Sequence, residues 1–414
     1  MTREPFFPQA VYSISATKNA DPPRVLIAPA RYVQGPGTLH LLGRYITLVP
    51  GYRPLILITE GGRKRFGERI EASLSGESIH SCIEIFGGEC SVEEVERIVE
   101  KVRGFDSAID SVIAVGGGKC IDAGKSIAFR LRVPSVICPT IASTDAPCSA
   151  GSILYTPEGV GKGPEFFPDN PALVVVDTAI IAASPLRHFV AGMGDALATT
   201  YEARTCYRNP RGRSIVGARM TIAALAIAEL CAKTLFNDAM DAIEAVGLGE
   251  ITDSVERVVE ANTLLSGIGF ESCGLAAAHA IAAGLTVIPV LHRDYLHGEL
   301  VAIGLVAQLL MEDNPADAED AVRFMNGVGL PVCLKQFRLD PSSETESIKK
   351  AMIAAASEPI AGNEPFEVTP EKFYDALMHA DRFGEDMVLE HGMASFLRIH
   401  TGGDRLFHGQ PDYQ

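Results

Sequence analysis

No run of about 18 apolar residues occurs in the 414-residue chain, so no segment is expected to span a membrane. Positive charge is scarce: 36 Lys and Arg stand against 52 Asp and Glu, a formal charge of -16. A surface of that sign excludes nucleic acid and anionic membrane as expected partners. The nine cysteines contain no CxxC pair and no framework spacing, which fits reduced thiols in a reducing compartment; a cytoplasmic location is expected. The opening stretch, MTREPFFPQAVYSISATKNADPPR, lacks the apolar core of a signal peptide and the Arg-rich pattern of a transit peptide. It reads as a surface extension of the first domain. Internal repeats and low-complexity segments are also lacking.

What is present is a globular composition, 47% hydrophobic and 21% charged, long enough for two or three domains. The first half alternates strand and helix patterns. Strands are expected at 25–28 (VLIA), 55–59 (LILIT), 111–115 (SVIAV), 135–139 (SVICP) and 173–177 (LVVVD). They are β-branched and almost continuously apolar, as strands buried on both faces should be. Between them, Ser91 and Glu94 form a capping-box pattern ahead of an apolar stripe, Val92, Val95, Ile98, Val99 and Val102. This alternation implies an α/β domain with a parallel sheet, over 1–184. From Pro185 onward the pattern is helical, with segments at 211–234, 251–268, 273–287, 297–312 and 370–383, so 185–414 is expected to be an all-helical domain. A ligand is expected at the C-terminal ends of the strands.

The stretch GGGKCIDAGKS, 116–126, suggests a phosphate loop. A Walker loop ending in Gly124-Lys125-Ser126 needs a glycine at 119, where the chain has Lys119. The GxGxxG fingerprint fails as well, because Ile121 stands three residues after Gly118. What remains is a glycine run between a strand and a helix. There the backbone can approach an anion closely and offer it free N–H groups. Lys125 and Ser126 are expected on the helix beyond this cradle.

In the helical half, His279 lies in GLAAAHAIAAGL and His297 opens HGELVAIGL. Asp195 stands mid-helix in VAGMGDALATTYEA. A buried carboxylate needs a partner or a cation. One Asp and two His make a three-ligand metal site with a fourth position open; each histidine could equally be a core residue bonded to a carbonyl. His292, in the polar VLHRDYLHGE, reads as a surface or supporting residue. Asp145, in CPTIASTDAPCSAGSILYT, is either an Asx turn or an acceptor for a substrate hydroxyl. Glu60 closes LILITE, as a ribose partner or as a solvated charge.

Five stretches in this order, AVGGGKCIDAGKSIA, PTIASTDAPCSAGSILYT, VAGMGDALATTYEA, GFESCGLAAAHAI and HGELVAIG, make the chain resemble the glycerol dehydrogenases of the group III, metal-dependent (iron-containing) alcohol dehydrogenases. The resemblance runs from about residue 25 to 400. It implies a Rossmann-like parallel-sheet domain followed by an all-helical domain, the dehydroquinate synthase-like architecture. It also implies NAD and zinc as cofactors, a polyol substrate and a homo-oligomer. By that resemblance Gly117, Gly118 and Lys119 hold the NAD pyrophosphate. Thr140, Ser143, Ser149 and Tyr155 contact the cofactor, with a backbone contact at Gly151, and Asp145 contacts glycerol. Asp195, His279 and His297 hold the metal.

The chain makes three departures from the family pattern. Gly151 replaces a frequent leucine. Ala282 and Ala283 stand where relatives often carry a further histidine. Thr199 occupies the place of a fourth, histidine ligand found in iron-type relatives, which favours zinc. The expected reaction is NAD-dependent oxidation of glycerol to dihydroxyacetone. The alternatives are a dehydroquinate-synthase-like lyase using NAD transiently, and an inactive binding protein of the same fold.

Overall fold

The computed structural model describes residues 4–12, 21–49 and 52–400. Of these, Ile27–Ser184 and the residues up to Val11 form one compact unit; those of Tyr12–Leu26 and from Pro185 onward form a second. The break at Ser184 falls where strand pattern gives way to helix, but 21–26 lies with the second unit rather than within a first domain of 1–184. There Arg24 and Val25 pair in parallel with Arg219 and Met220.

The first unit is built on a six-stranded parallel sheet. From edge to edge its strands are Tyr32–Gly35, Leu173–Asp177, Ser135–Pro139, Ser111–Gly116, Pro54–Ile58 and Cys82–Ile85. Four of the expected strands are present within a residue or so. The fifth, 25–28, does not join the sheet. Pro22, Pro23 and Pro29 bracket that run and withhold N–H donors from a ladder, and Tyr32–Gly35 takes the edge instead. Both edge strands escape the apolar pattern because they are only partly buried. So does the antiparallel hairpin Gly151–Tyr155 with Gly161–Phe166.

The chain leaves Pro54–Ile58 toward one edge of the sheet and leaves Ser111–Gly116 toward the other. These two strands are neighbours, with Ile58 opposite Val115. Their C-terminal ends therefore flank the point at which strand order reverses, the usual ligand crevice of such sheets.

The helix Val92–Arg103 buries Val95, Ile98, Val99 and Val102, and Ser91 caps it by accepting the Glu94 N–H at 3.1 Å. The reciprocal half of the capping box does not form. The Ser91 N–H donates instead to the Glu89 carbonyl at 2.9 Å, while the Glu94 carboxylate accepts the Gly87 N–H at 2.7 Å and pairs with Arg97.

In the second unit the helices Leu186–Arg208, Ile222–Leu248, Ala277–Leu285 and His297–Met311 form the core of the packing. Residues 211–220 are not helical as expected, because Pro210 and Gly212 interrupt the pattern. The helix starts only after Thr221, whose hydroxyl accepts the Ala224 N–H at 3.1 Å. The α-helices Leu186–Arg208, Pro289–Asp294, Pro315–Val328, Thr345–Ser357 and Ala394–His400 lie outside the expected segments. Among the described residues, no single helix is long and apolar enough to cross a membrane.

Candidate metal centre and cofactor cradle

Asp195 sits in the middle of Leu186–Arg208, His279 near the start of Ala277–Leu285, and His297 at the first position of His297–Met311. Glycines beside the two outer residues let the helices meet. A Cβ on Gly298 would lie 1.9 Å from the Ala191 carbonyl oxygen, and one on Gly194 would lie 2.5 Å from the Gly298 carbonyl oxygen. Backbone contact this close brings Asp195 and His297 face to face. Asp195 Oδ1 lies 3.2 Å from His279 Nε2 and 3.3 Å from His297 Nε2. One ligand atom from each of the three residues falls within 4.8 Å of the others.

The donor set fits a divalent cation. It offers one carboxylate oxygen and two imidazole nitrogens, the hard and borderline donors that zinc takes. Asp195 and His279 are buried, whereas the His297 side chain is 45% exposed, so the centre opens on one side. The electrostatics ask for positive charge. Burial alone would raise the Asp195 pKa, but facing His297 and His279 hold it below the usual carboxylate range. Burial disfavours the His279 imidazolium, yet Glu202 and Asp195 together hold that pKa well above the ordinary value.

Glu202 is a residue the sequence motifs do not single out. It lies two turns beyond Asp195 on the same helix, fully buried, with Oε2 2.5 Å from His279 Nδ1. Seven-residue spacing from a buried aspartate, with a second acid inside VAGMGDALATTYEA, is the signal that could have found it. His297 has its own support. The Glu299 carboxylate accepts the Leu296 N–H at 2.9 Å and pairs bidentately with Arg187 at 2.6 and 2.7 Å. Arg187 also donates to the Asp294 carbonyl at 2.8 Å, so the turn ahead of His297 is fixed. Thr199 is committed elsewhere, its hydroxyl 2.9 Å from that of Ser266. Ala282 is buried in the Ala277–Leu285 helix, and Ala283 lies in the same helix. His292 is exposed on Pro289–Asp294.

In the first unit, the strand Ser111–Gly116 runs through Gly117 into the helix Gly118–Leu131. Gly117 is the N-cap and supplies no side-chain acceptor, so the first N–H groups of the helix are left for another acceptor. Among the described residues, and apart from its own helical turn, a Cβ on Gly118 would find no atom nearer than the Thr144 hydroxyl at 4.0 Å. The glycine therefore serves open space rather than packing. Gly124 is the opposite case: a Cβ there would stand 2.3 Å from the Ala114 Cβ, so it seats the helix on its strand.

Lys119 pairs with Glu89 at 2.8 Å and lies over the Tyr155 ring, 5.3 Å from its centroid. Glu60 opens the helix Glu60–Gly76 at the neighbouring strand end, with its side chain exposed and Lys64 3.9 Å away. Thr140 follows Ser135–Pro139, and its N–H donates to the Gly116 carbonyl at 3.0 Å. Glu60, Gly117, Gly118 and Thr140 are thus gathered at the C-terminal edge around the order reversal.

The rest of the loop is held from below by the second half of GGGKCIDAGKS. The buried Lys125 ammonium donates to the Ala146 carbonyl at 3.0 Å, to the Ser149 hydroxyl at 3.3 Å and to the Gly151 carbonyl, and pairs with Asp122 at 2.9 Å. Ser149 is buried and engaged in that network. Ser143 and Asp145 are buried on the same loop, Asp145 at the start of the short turn Ala146–Cys148 without capping it. Tyr155 closes the hairpin strand, and its hydroxyl pKa is pushed up by burial and then by Asp122.

A family model described as iron-containing alcohol dehydrogenase matches residues 29–178. The chain is 44% identical over 360 residues to the glycerol dehydrogenase of Thermotoga maritima, a match covering 86% of this chain and 97% of that protein. It is 41% identical over 364 residues to the glycerol dehydrogenase of Citrobacter freundii, covering 87% and 98%. The chain belongs to the iron-containing alcohol dehydrogenase family. Among solved structures, glycerol dehydrogenase from Schizosaccharomyces pombe superposes with a TM-score of 0.84 at 34% identity, covering 89% of this chain and 93% of that one. Membership of the iron-containing alcohol dehydrogenases through relatives of these names favours an oxidoreductase over the dehydroquinate-synthase-like lyase.

Proposed function

We propose that this chain oxidises glycerol to dihydroxyacetone with NAD as hydride acceptor, and that it extends to other vicinal diols. The observation that carries the reading is the convergence of Asp195 Oδ1, His279 Nε2 and His297 Nε2 on one point in a protein of this family. In this reading the first unit holds the dinucleotide and the second holds the metal. Zinc is favoured over iron because Thr199 is occupied by Ser266 and adds no fourth imidazole. A zinc ion held there supplies a Lewis acid that lowers the pKa of a substrate hydroxyl.

The protein's own residues do the rest. Glu202 and Asp195 hold His279 between them, and Arg187 with Glu299 anchors the turn that presents His297. Gly117 and Gly118 offer N–H groups to the pyrophosphate, with Lys119 beside them, and Glu60 accepts from the adenosine ribose. Thr140, Ser143 and Ser149, the Gly151 backbone and Tyr155 line the cofactor. Asp145 orients a substrate hydroxyl. The secondary carbon gives up a hydride to the cofactor and its hydroxyl gives up a proton, leaving the ketone.

Exposed apolar side chains along Ile222–Leu248, among them Ile222, Met240 and Leu248, support self-association as a homo-oligomer. None of the nine cysteines is in a disulfide, which supports a reducing, cytoplasmic setting. The test is metal analysis of the purified protein with a diol panel scored by NADH formation. Activity lost on chelation and restored by zinc is expected. Turnover that survives full metal removal overturns the reading.

A further inference from the structure

The helix that carries His279 has no cap of its own. Its N-cap is Ala276, which has no polar side chain. Yet four consecutive backbone N–H groups at its start are all satisfied, by side chains from elsewhere in the second unit. Ala276 and His279 donate to Glu202 Oε1 at 2.8 and 3.0 Å. Ala277 donates to Glu364 Oε1 at 3.1 Å, and Ala278 to Gln308 Oε1 at 2.8 Å. Gln308 is itself oriented, its amide group donating to Glu312 at 2.8 Å and to Thr205 at 3.1 Å. Glu202 has a further task, because its other oxygen faces His279 Nδ1 at 2.5 Å.

We propose that Glu202 is a positioning residue for the metal centre: its Oε1 locks the backbone of His279 and its Oε2 holds the ring proton on Nδ1, leaving Nε2 as the ligand atom. The proposal rests on the metal reading above. Acceptor count requires a carboxylate at this position. Both Glu202 oxygens must accept, one from two N–H groups and the other from the ring. An imidazole can offer Nε2 to a cation only while the proton sits on Nδ1.

A carboxamide cannot meet both demands. In Glu202→Gln, an amide nitrogen at the Oε1 position would point hydrogens at two N–H donors. At the Oε2 position it would donate to Nδ1 and drive the ring proton to Nε2, the atom that faces Asp195. Either arrangement weakens metal binding at nearly constant volume. A residue that only filled space would tolerate the isostere.

The experiment measures zinc affinity by chelator competition in wild type, Glu202→Gln and Glu202→Asp, with thermal unfolding of each metal-free protein. Ring-nitrogen NMR of His279 in the zinc-loaded proteins reads the tautomer. Wild type should show the Nδ1–H tautomer. Glu202→Gln should fold but bind zinc about ten- to a hundredfold more weakly. Glu202→Asp, which keeps a carboxylate, should recover part of the loss and the Nδ1–H signature. Glu202→Gln binding zinc within about threefold of wild type overturns the proposal while leaving the metal reading intact. If Glu202→Gln does not fold, a wild-type His279 protonated at Nε2 overturns it, and so does an aspartate variant without the Nδ1–H signature. A wild type that binds no zinc at all overturns the metal reading and this proposal together.

Discussion

Gly298 lies against Ala191 so closely that a single added carbon would stand 1.9 Å from the Ala191 carbonyl oxygen. That atom is backbone and cannot rotate away, so Gly298→Ala must push two helices apart. Asp195 and His297 flank this contact, one on each helix. The variant should lose about 1–3 kcal/mol of stability from overpacking and should purify with less than one metal per chain. Urea unfolding and metal analysis on the same preparation check both. An unchanged midpoint with full metal content would show that the crossing does not set the ligand geometry.

His279→Ala removes the one buried imidazole of the centre. Metal retention should be abolished. Turnover should fall by about a thousandfold or more, since several kcal/mol of charge stabilisation goes with the cation. Normal zinc content in this variant would sink the ligand assignment, whatever happened to activity.

The two halves of GGGKCIDAGKS separate by experiment. Gly118→Val adds bulk to open space and should weaken NAD binding by about tenfold, with little effect on stability, because close backbone approach to the pyrophosphate is lost. Gly124→Ala adds one carbon 2.3 Å from Ala114 and should destabilise the fold by about 1–3 kcal/mol. NAD titration and urea unfolding of both variants should give crossed results. Unchanged cofactor affinity in Gly118→Val would count against the cradle.

These contrasts show what a linear chain reveals and what it hides. The four inner strands were legible because β-branched residues buried on both faces leave nearly unbroken apolar runs. Edge strands Tyr32–Gly35 and Cys82–Ile85 were not, since partial burial relaxes that demand. Asp195 was legible as an acid among alanines. Glu202, inside the same quoted stretch, was not, because its meaning comes from His279, 77 residues later. Lys119 stood out beside three glycines, but its Glu89 partner lies 30 residues earlier in a loop without a motif. Lys125 lies on the helix beyond the cradle, as its register implied, but its role as a buried anchor for the loop at 146–151 was not legible. Only the fold, by bringing Ala146, Ser149 and Gly151 to its ammonium, distinguishes these roles.

Glu60 begins a helix at the order reversal of the sheet, with its carboxylate exposed and Lys64 3.9 Å away. A carboxylate there bonds a ribose and repels a 2′-phosphate. Glu60→Ala should narrow the preference for NAD over NADP, by about tenfold if one charged hydrogen bond of roughly 1.5 kcal/mol is removed. Comparing kcat/KM for the two cofactors measures it. A preference as strong as before would remove Glu60 from the ribose contact.

His188 provides a pH test independent of the metal. It lies in the first turn of Leu186–Arg208, and its pKa is pushed down to about 4, first by burial and then by neighbouring Arg187. His400 is pushed the same way, again to about 4, by burial above all. In the unfolded chain a histidine titrates near 6.5. Between about pH 6.5 and 4 the unfolded state therefore binds more protons, and stability falls as the pH falls. The stabilising contribution is complete above the unfolded value and is lost through that window. For His188 the loss is on the order of 3 kcal/mol at most. His188→Gln should flatten the acid limb of urea stability measured in chelator, while wild type declines more steeply from pH 7 to about pH 4.5. Superimposable acid limbs would mean that His188 takes up its proton in the folded protein without penalty.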